Sequence, residues 1–147
     1  MNTILYTRQN FDQDIDRIVE QIGNEKFDLI VGLTRGGCIP AVVLSHKLNI
    51  PATMLNFSTR DNVTTDLDLY KYFENLSEHY HRILIVDDLV DSGKTIQWII
   101  TTSSIFCLPS LATLLHNTDV KIGIDHYYGL PFSRSIEKRY FDFWWEL

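Results

Sequence analysis

Cysteine, proline and glycine are scarce in this sequence, with 2, 4 and 7 copies respectively. The two cysteines, Cys38 and Cys107, lie far apart and form no Cys-x-x-Cys pair. That excludes a zinc-ribbon or dithiol motif and leaves two unrelated, reduced thiols. Long apolar runs are missing too. The longest, Ile105 to Leu115, is broken by Pro109 and Ser110, well short of the roughly 20 residues that span a bilayer. The opening stretch, MNTILYTRQNFDQD, turns acidic where a signal peptide would carry its apolar segment, so a cytoplasmic protein with no membrane partner is expected. Positive charge is in deficit, with 13 Lys plus Arg against 19 Asp plus Glu and a net charge of −6. This balance counts against nucleic acid or an anionic membrane as a partner, and any phosphate-rich ligand needs a local site.

The chain has 147 residues, 45% of them hydrophobic and 22% charged, which suits a single domain over residues 1–147 with one buried core. No linker or repeat divides it. Asn10 to Ile22 carries Phe11, Ile15, Ile18, Val19 and Ile22 at helical spacing, with Asn10 or Asp12 as the cap. Phe27 to Leu33 reads as a buried strand entering the glycine turn Thr34-Arg35-Gly36-Gly37, and Ile39 to Leu48 as a helix with Pro40 in its first turn. Ala52 to Phe57 is a second strand, Ser58 to Asp68 a long polar loop, and Leu69 to Leu76 a short helix. Arg82 to Val86 is the clearest strand, followed by a helix from Lys94 to Phe106 and strands at Leu111 to Leu115 and Val120 to Ile124. An aromatic tail, Tyr140 to Leu147, follows. Alternating strands and helices predict an α/β domain with a mostly parallel sheet, whose ligands bind beyond the carboxyl ends of the strands.

The chemistry concentrates in Ile83 to Thr95, ILIVDDLVDSGKT. A rigid apolar strand delivers two adjacent carboxylates, Asp87 and Asp88, and a turn of small residues opens into a helix. The unpaired N–H groups of that helix start, with the hydroxyls of Ser92 and Thr95, make an anion cradle from Asp91 to Thr95. Gly93 lets a phosphate approach the backbone. Carboxylates beside such a cradle suit vicinal sugar hydroxyls or a magnesium shell. Gly93-Lys94-Thr95 is not a Walker A loop, which needs glycine where Asp88 stands. An ordinary acidic loop between strand and helix is the plainer alternative.

These thirteen residues resemble the phosphoribosyl pyrophosphate signature of the type I phosphoribosyltransferases, above all the small xanthine-guanine and hypoxanthine enzymes with loops of the form DDLVDTGxT. Looser similarity covers Phe27 to Pro40 and Leu111 to Glu146. The resemblance implies a twisted parallel sheet flanked by helices, a flexible lid loop and a small C-terminal base-binding hood. It implies transfer of a phosphoribosyl group from phosphoribosyl pyrophosphate to xanthine, guanine or hypoxanthine, with Mg2+ as cofactor, in a homo-oligomer that is a dimer or tetramer. A phosphoribosyltransferase for another base, or a non-catalytic sensor keeping the nucleotide site, is the alternative.

By that resemblance Asp87 and Asp88 hold the ribose hydroxyls and organise the metal, while Asp91, Ser92, Gly93, Lys94 and Thr95 hold the 5′-phosphate. Asp91 also falls where the family has a carboxylate near the purine, a candidate for proton transfer; its plainer role is a helix N-cap. Arg35, Gly36 and Gly37 match the family's pyrophosphate loop, which can carry a cis peptide; an exposed turn arginine is the alternative. Ser58 to Asp68 matches the lid, with Arg60 either reaching the pyrophosphate or solvated. Tyr140 matches the residue stacking on the purine and Phe141 its neighbour, whereas core or subunit-interface packing is favoured for Trp144 and Trp145. Asp125, Tyr127 and Tyr128 match a stretch near the base pocket. One departure stands out: where purine enzymes carry Lys-Pro, whose ammonium contacts the 6-oxo oxygen, this chain has His116-Asn117. His116 is a weaker, pH-dependent donor at that position, or a strand-end histidine with a local partner. His79 and His81 lack a ligand set and read as surface residues.

Overall fold

The computed structural model describes residues 2–57 and 64–147. Arg60 and the first part of the expected lid, residues 58–63, lie outside the described residues. Five strands form one parallel sheet in the order β3-β2-β4-β5-β6: β2 (Leu29–Leu33), β3 (Ala52–Leu55), β4 (Arg82–Val90), β5 (Leu108–Asn117) and β6 (His126–Phe132). Helices α1 (Arg8–Ile22) and α2 (Cys38–Leu48) cover one face, and α3 (Asp66–Leu76) and α4 (Lys94–Ser103) the other. The expected α/β architecture with flanking helices is therefore present.

Each layer follows from residue spacing. In α1, Phe11, Asp14, Ile15, Ile18 and Ile22 form one buried stripe. The cap is Thr7, one turn before the expected Asn10 or Asp12; its hydroxyl accepts from Asn10 N–H, and the Asn10 side chain accepts from Thr7 N–H. In α3, Thr65 and Asp68 form the same reciprocal pair, so this helix starts at Asp66, inside the stretch read as loop. Strand β2 is buried at all five positions, as a central parallel strand requires.

Four expectations need correction. The strand expected at Val120 to Ile124 is turn and bend, and β6 lies at His126–Phe132 instead. It includes Pro131, which an edge strand tolerates because it need not donate outward. Helix α4 ends at Ser103, before Phe106, and β3 ends at Leu55, before Phe57. Strand β4 continues four residues past Val86, carrying Asp87 and Asp88 within it.

A second, two-stranded parallel sheet pairs β1 (Asn2–Tyr6) with β7 (Arg139–Phe143), in register from Asn2 opposite Arg139 to Tyr6 opposite Phe143. The hood is thus built from both ends of the described chain and not from the C-terminal tail alone. A short 3-10 turn, Trp144–Glu146, follows. Tyr6, Phe11 and Phe143 pack against Trp145, and Phe11 also against Trp144, so the tail anchors the hood to α1 as core material. Among the described residues no helix is long and apolar enough to cross a membrane.

Candidate active site

The strand order creates a cleft before any side chain is considered. Strand β2 leads through α2 to β3 on one side, while its neighbour β4 leads through α4 to β5 on the other. Where the winding reverses, the two departing loops separate and leave a crevice at the carboxyl ends of β2 and β4. The Thr34-Arg35-Gly36-Gly37 loop and the acidic pair meet at this point.

The first loop lies hard against the second strand. A Cβ at Gly37 would sit 2.7 Å from the Leu33 carbonyl and closer still to that of Val86, and one at Gly36 would strike the Asp88 carboxylate. Only glycine permits this approach. The Thr34–Arg35 peptide is cis. Arg35 and Gly36 line a mouth of about 530 Å³ with Trp145 and Glu146.

Side-chain alternation on β4 slips across the acidic pair. Leu84, Val86 and Leu89 face one core cluster, while Ile83, Ile85 and Val90 face the other. Between them Asp87 and Asp88 are half-buried, and Asp88 N–H donates to Asp87 Oδ1 at 2.9 Å. Burial, and then the charge of Asp88, push the Asp87 carboxyl well above its ordinary range. Burial also raises Asp88, and the negative Glu146 adds to that rise. Among the described residues no Lys or Arg pairs with either carboxylate. Two recessed oxygen donors lacking a counter-charge fit a hard divalent cation. No cluster of three or more metal-ligating side chains occurs among the described residues, so most of its shell would come from water and substrate oxygens, as Mg2+ prefers.

The turn before α4 depends on Gly93, at φ 79°, where a Cβ would also lie 2.5 Å from Val120 Cγ1. Gly93 is itself the N-cap and offers no side chain; Ser92 Oγ accepts from the first amide of α4, Lys94 N–H, at 3.4 Å, and the amides that follow have no side-chain cap among the described residues. Asp91 is therefore not the cap. A cavity of about 210 Å³ opens here, lined by Asp87, Asp91, Ser92, Gly93 and Thr95 among others, while the Lys94 side chain is exposed.

Instead of capping, Asp91 pairs with Arg134. The guanidinium donates from Nε to Oδ1 at 3.0 Å and from Nη2 to Oδ2 at 3.2 Å. Its Cζ lies 4.9 Å from the Phe132 ring centre and 5.1 Å from that of Tyr140. Asn117, only 5% exposed, ties the same loops together. Its Nδ2 donates to the Asp91 carbonyl at 3.0 Å, and its Oδ1 accepts from the N–H groups of Asp119 at 3.2 Å and Arg134 at 3.3 Å.

The structure thus brings together Arg35, Gly36, Gly37, Asp87 and Asp88, with Asp91 to Thr95 opening beside them. Tyr140 joins Asp91 through Arg134. Its neighbour Phe141 turns to the other side of β7, packing on Phe132 and facing a separate hollow beside Ile4 and Tyr6. His116 is buried in a triangle with His126 and Tyr128, at 4.5 Å and 4.9 Å between ring centres. Burial lowers its pKa, which keeps the ring neutral. Tyr127 faces away, against Phe27. Arg134, Asn117 and Glu146 carry no role in the sequence reading. Arg134 is a lone arginine between serines with no motif around it, while the His116-Asn117 departure marked a position and not a function.

A family model described as "Phosphoribosyl transferase domain" matches residues 1–101. The xanthine-guanine phosphoribosyltransferase of Cereibacter sphaeroides is 26% identical over 124 residues, covering 78% of this chain and 74% of that protein. The adenine phosphoribosyltransferase of Brachyspira hyodysenteriae is 32% identical over 104 residues, 65% of this chain and 61% of that protein. Among solved structures, a purine phosphoribosyltransferase from Pyrococcus horikoshii superposes with a TM-score of 0.70 at 25% identity, covering 99% of this chain and 94% of that one.

Proposed function

The chain belongs to the phosphoribosyl transferase domain family, and from that premise we propose that it is a purine phosphoribosyltransferase acting on 6-oxopurines. It joins xanthine, guanine or hypoxanthine to the ribosyl carbon of phosphoribosyl pyrophosphate and releases pyrophosphate. The observation that carries this reading is the contact between the Asp88 carboxylate and Gly36, which sets a sugar-binding acidic pair against an anion-binding glycine loop beside a helix-start cradle.

The roles follow from charge and reach. Asp87 and Asp88 accept hydrogen bonds from the vicinal ribose hydroxyls. Amides of the turn from Asp91 to Thr95, with the Ser92 and Thr95 hydroxyls, hold the 5′-phosphate, and Lys94 adds charge at its rim. Arg35 and the N–H groups of Gly36 and Gly37 receive the pyrophosphate as it gathers negative charge in leaving. Asp87 and Asp88 would hold Mg2+, which would supply charge neutralisation to the phosphates. Tyr140 forms the hood side of the base pocket, with the Phe141 side chain turned away from it and His116 packed against His126 and Tyr128, and Asp91 is the carboxylate assigned to proton transfer with the base. Most of the rate gain comes from holding the two reactants in line.

Incubating the protein with Mg2+, phosphoribosyl pyrophosphate and each of the radiolabelled bases xanthine, guanine, hypoxanthine, adenine, orotate and uracil tests the reading. Labelled mononucleotide from at least one 6-oxopurine, exceeding that from adenine, is expected. Saturable phosphoribosyl pyrophosphate binding with no nucleotide from any base would overturn the enzyme reading in favour of a sensor.

A further inference from the structure

We propose a second binding site on the reverse of the hood, separate from the substrate cleft, that takes a small organic carboxylate with an apolar body. It is the hollow between α1, β6 and the β1–β7 sheet, of about 180 Å³. A cavity of about 150 Å³ already admits a benzene-sized ring. Phe141 faces this hollow, whereas Tyr140, its neighbour on β7, lies beside Arg134. The hollow shares no lining residue with the phosphate turn or with the mouth at Arg35.

Asp14 is a buried charge that neither helix packing nor the proposed reaction requires. On the covered stripe of α1, otherwise Phe11, Ile15, Ile18 and Ile22, its side chain is 3% exposed and borders the hollow. Burial lifts its carboxyl above the ordinary range, a cost that an apolar side chain would not incur. Strand β6 is shaped around it, since a Cβ at Gly129 would strike the Asp14 side chain. Tyr6 Oη donates to Asp14 Oδ2 at 2.5 Å and Arg17 Nη1 to Oδ1 at 2.6 Å. The carboxylate thereby holds a guanidinium at the edge of the hollow.

The hydrogen-bonding groups around the hollow are out of balance. Apart from the exposed Gln13 amide, the side-chain acceptors are engaged: both Asp14 oxygens as above, and Asn10 Oδ1 by the N–H and hydroxyl of Thr7 at 3.0 and 2.8 Å. The donors are not. Arg17 Nε and Nη2 have no partner among the described residues, and Arg139 pairs its Nη2 with Glu137 at 2.7 Å but leaves Nη1 without one. The Nε–Nη2 edge of a guanidinium presents two parallel N–H groups, which a carboxylate meets with both oxygens. Ile4, Leu130 and Phe141 give the apolar wall for the rest of the ligand. Asp14 and Glu137 offset much of the arginine charge, which suits a singly charged group better than a phosphate dianion.

The test titrates benzoate into the full chain by isothermal calorimetry, with benzamide as the neutral analogue, for wild type, Arg17→Gln, Arg17→Lys and Ile4→Phe. Wild type is expected to bind benzoate at one site with Kd of about 0.1–1 mM, the range for so small a ligand, and benzamide at least about tenfold more weakly. Arg17→Gln weakens benzoate about 10–100-fold, the worth of a hydrogen bond to a charged group. Arg17→Lys recovers part of the loss, keeping the charge without the fork. Ile4→Phe fills the hollow and abolishes binding. Pyrophosphate with Mg2+ does not compete. In wild type, the amide resonances shifted by benzoate cluster around Arg17, Leu130 and Phe141. No binding by wild type, equal affinity for benzamide, or an affinity untouched by Arg17→Gln overturns the inference. Competition by pyrophosphate, or shifts confined to Arg35 to Gly37, also overturns it and puts the benzoate in the substrate cleft. Should the variants fail to fold, the wild-type shifts decide. None of these readouts needs turnover, so failure of the proposed reaction leaves this test intact.

Discussion

Replacing Asn117 with alanine removes one donor and one doubly used acceptor from the junction of three loops. The lost bonds run to the Asp91 carbonyl and from the N–H groups of Asp119 and Arg134, at 3.0, 3.2 and 3.3 Å. Each neutral bond of this kind contributes about 0.5–1.5 kcal/mol net, and part of the junction is shielded from the water that would replace them, so a loss of about 2–4 kcal/mol is expected. For a domain of this size each kcal/mol moves Tm by roughly 2–4 °C, giving a fall of about 5–15 °C by differential scanning calorimetry. Asn117→Asp keeps an acceptor for both N–H groups but sets a buried carboxylate oxygen against the Asp91 carbonyl, so it too should lower Tm while raising KM for phosphoribosyl pyrophosphate. An Asn117→Ala protein with a Tm within about 1 °C of wild type and an unaltered KM would refute the reasoning, because the three bonds would then carry no load.

Asp88→Asn should weaken phosphoribosyl pyrophosphate binding about 10–100-fold by isothermal titration, since a carboxylate acceptor for a sugar hydroxyl is lost. It should also raise ligand-free stability. Asp87 and Asp88 have folded pKa values above the unfolded one, so the folded state binds the extra protons and wild-type stability falls as pH rises from the ordinary carboxylate range toward the folded values. The variant should flatten that slope in urea titrations across pH, and an identical slope would remove the acidic pair as its source. Gly93→Ala forces a side chain into φ 79° and 2.5 Å from Val120 Cγ1. A stability loss of at least about 1–2 kcal/mol and a much reduced affinity for phosphoribosyl pyrophosphate are expected, and wild-type values for both would refute the turn's role.

The parts of the fold legible in sequence are those whose signal is local. Ile83 to Val86 announces a buried strand, Gly93 marks the turn, and Ile96, Ile99 and Ile100 mark the covered face of α4. The glycine loop at Arg35 was legible for the same reason. Strand β1 was not, because Asn2–Tyr6 is five residues long and its one ladder partner among the described residues is β7, more than a hundred positions away. Strand β6 was misplaced because Val120, Ile122 and Ile124 alternate as a strand does, whereas the true strand contains Gly129 and Pro131, which local propensity counts against it. In the candidate site, Asp87, Asp88 and Gly36 lie in two loops whose local sequences stand out, and the structure brings those loops together. Arg134 and Asn117 act through contacts across distant loops, which no spacing in one dimension encodes.

The pairing of β1 with β7 also has a meaning in time. A ribosome that has delivered residues up to 138 has supplied every strand of the five-stranded sheet, yet β1 is still without its ladder partner. Tyr6 gains its ring contacts with Phe143 and Trp145 only once those later residues have been made. Closing so long a loop is entropically costly and late. The five-stranded sheet can therefore form before the β1–β7 ladder closes.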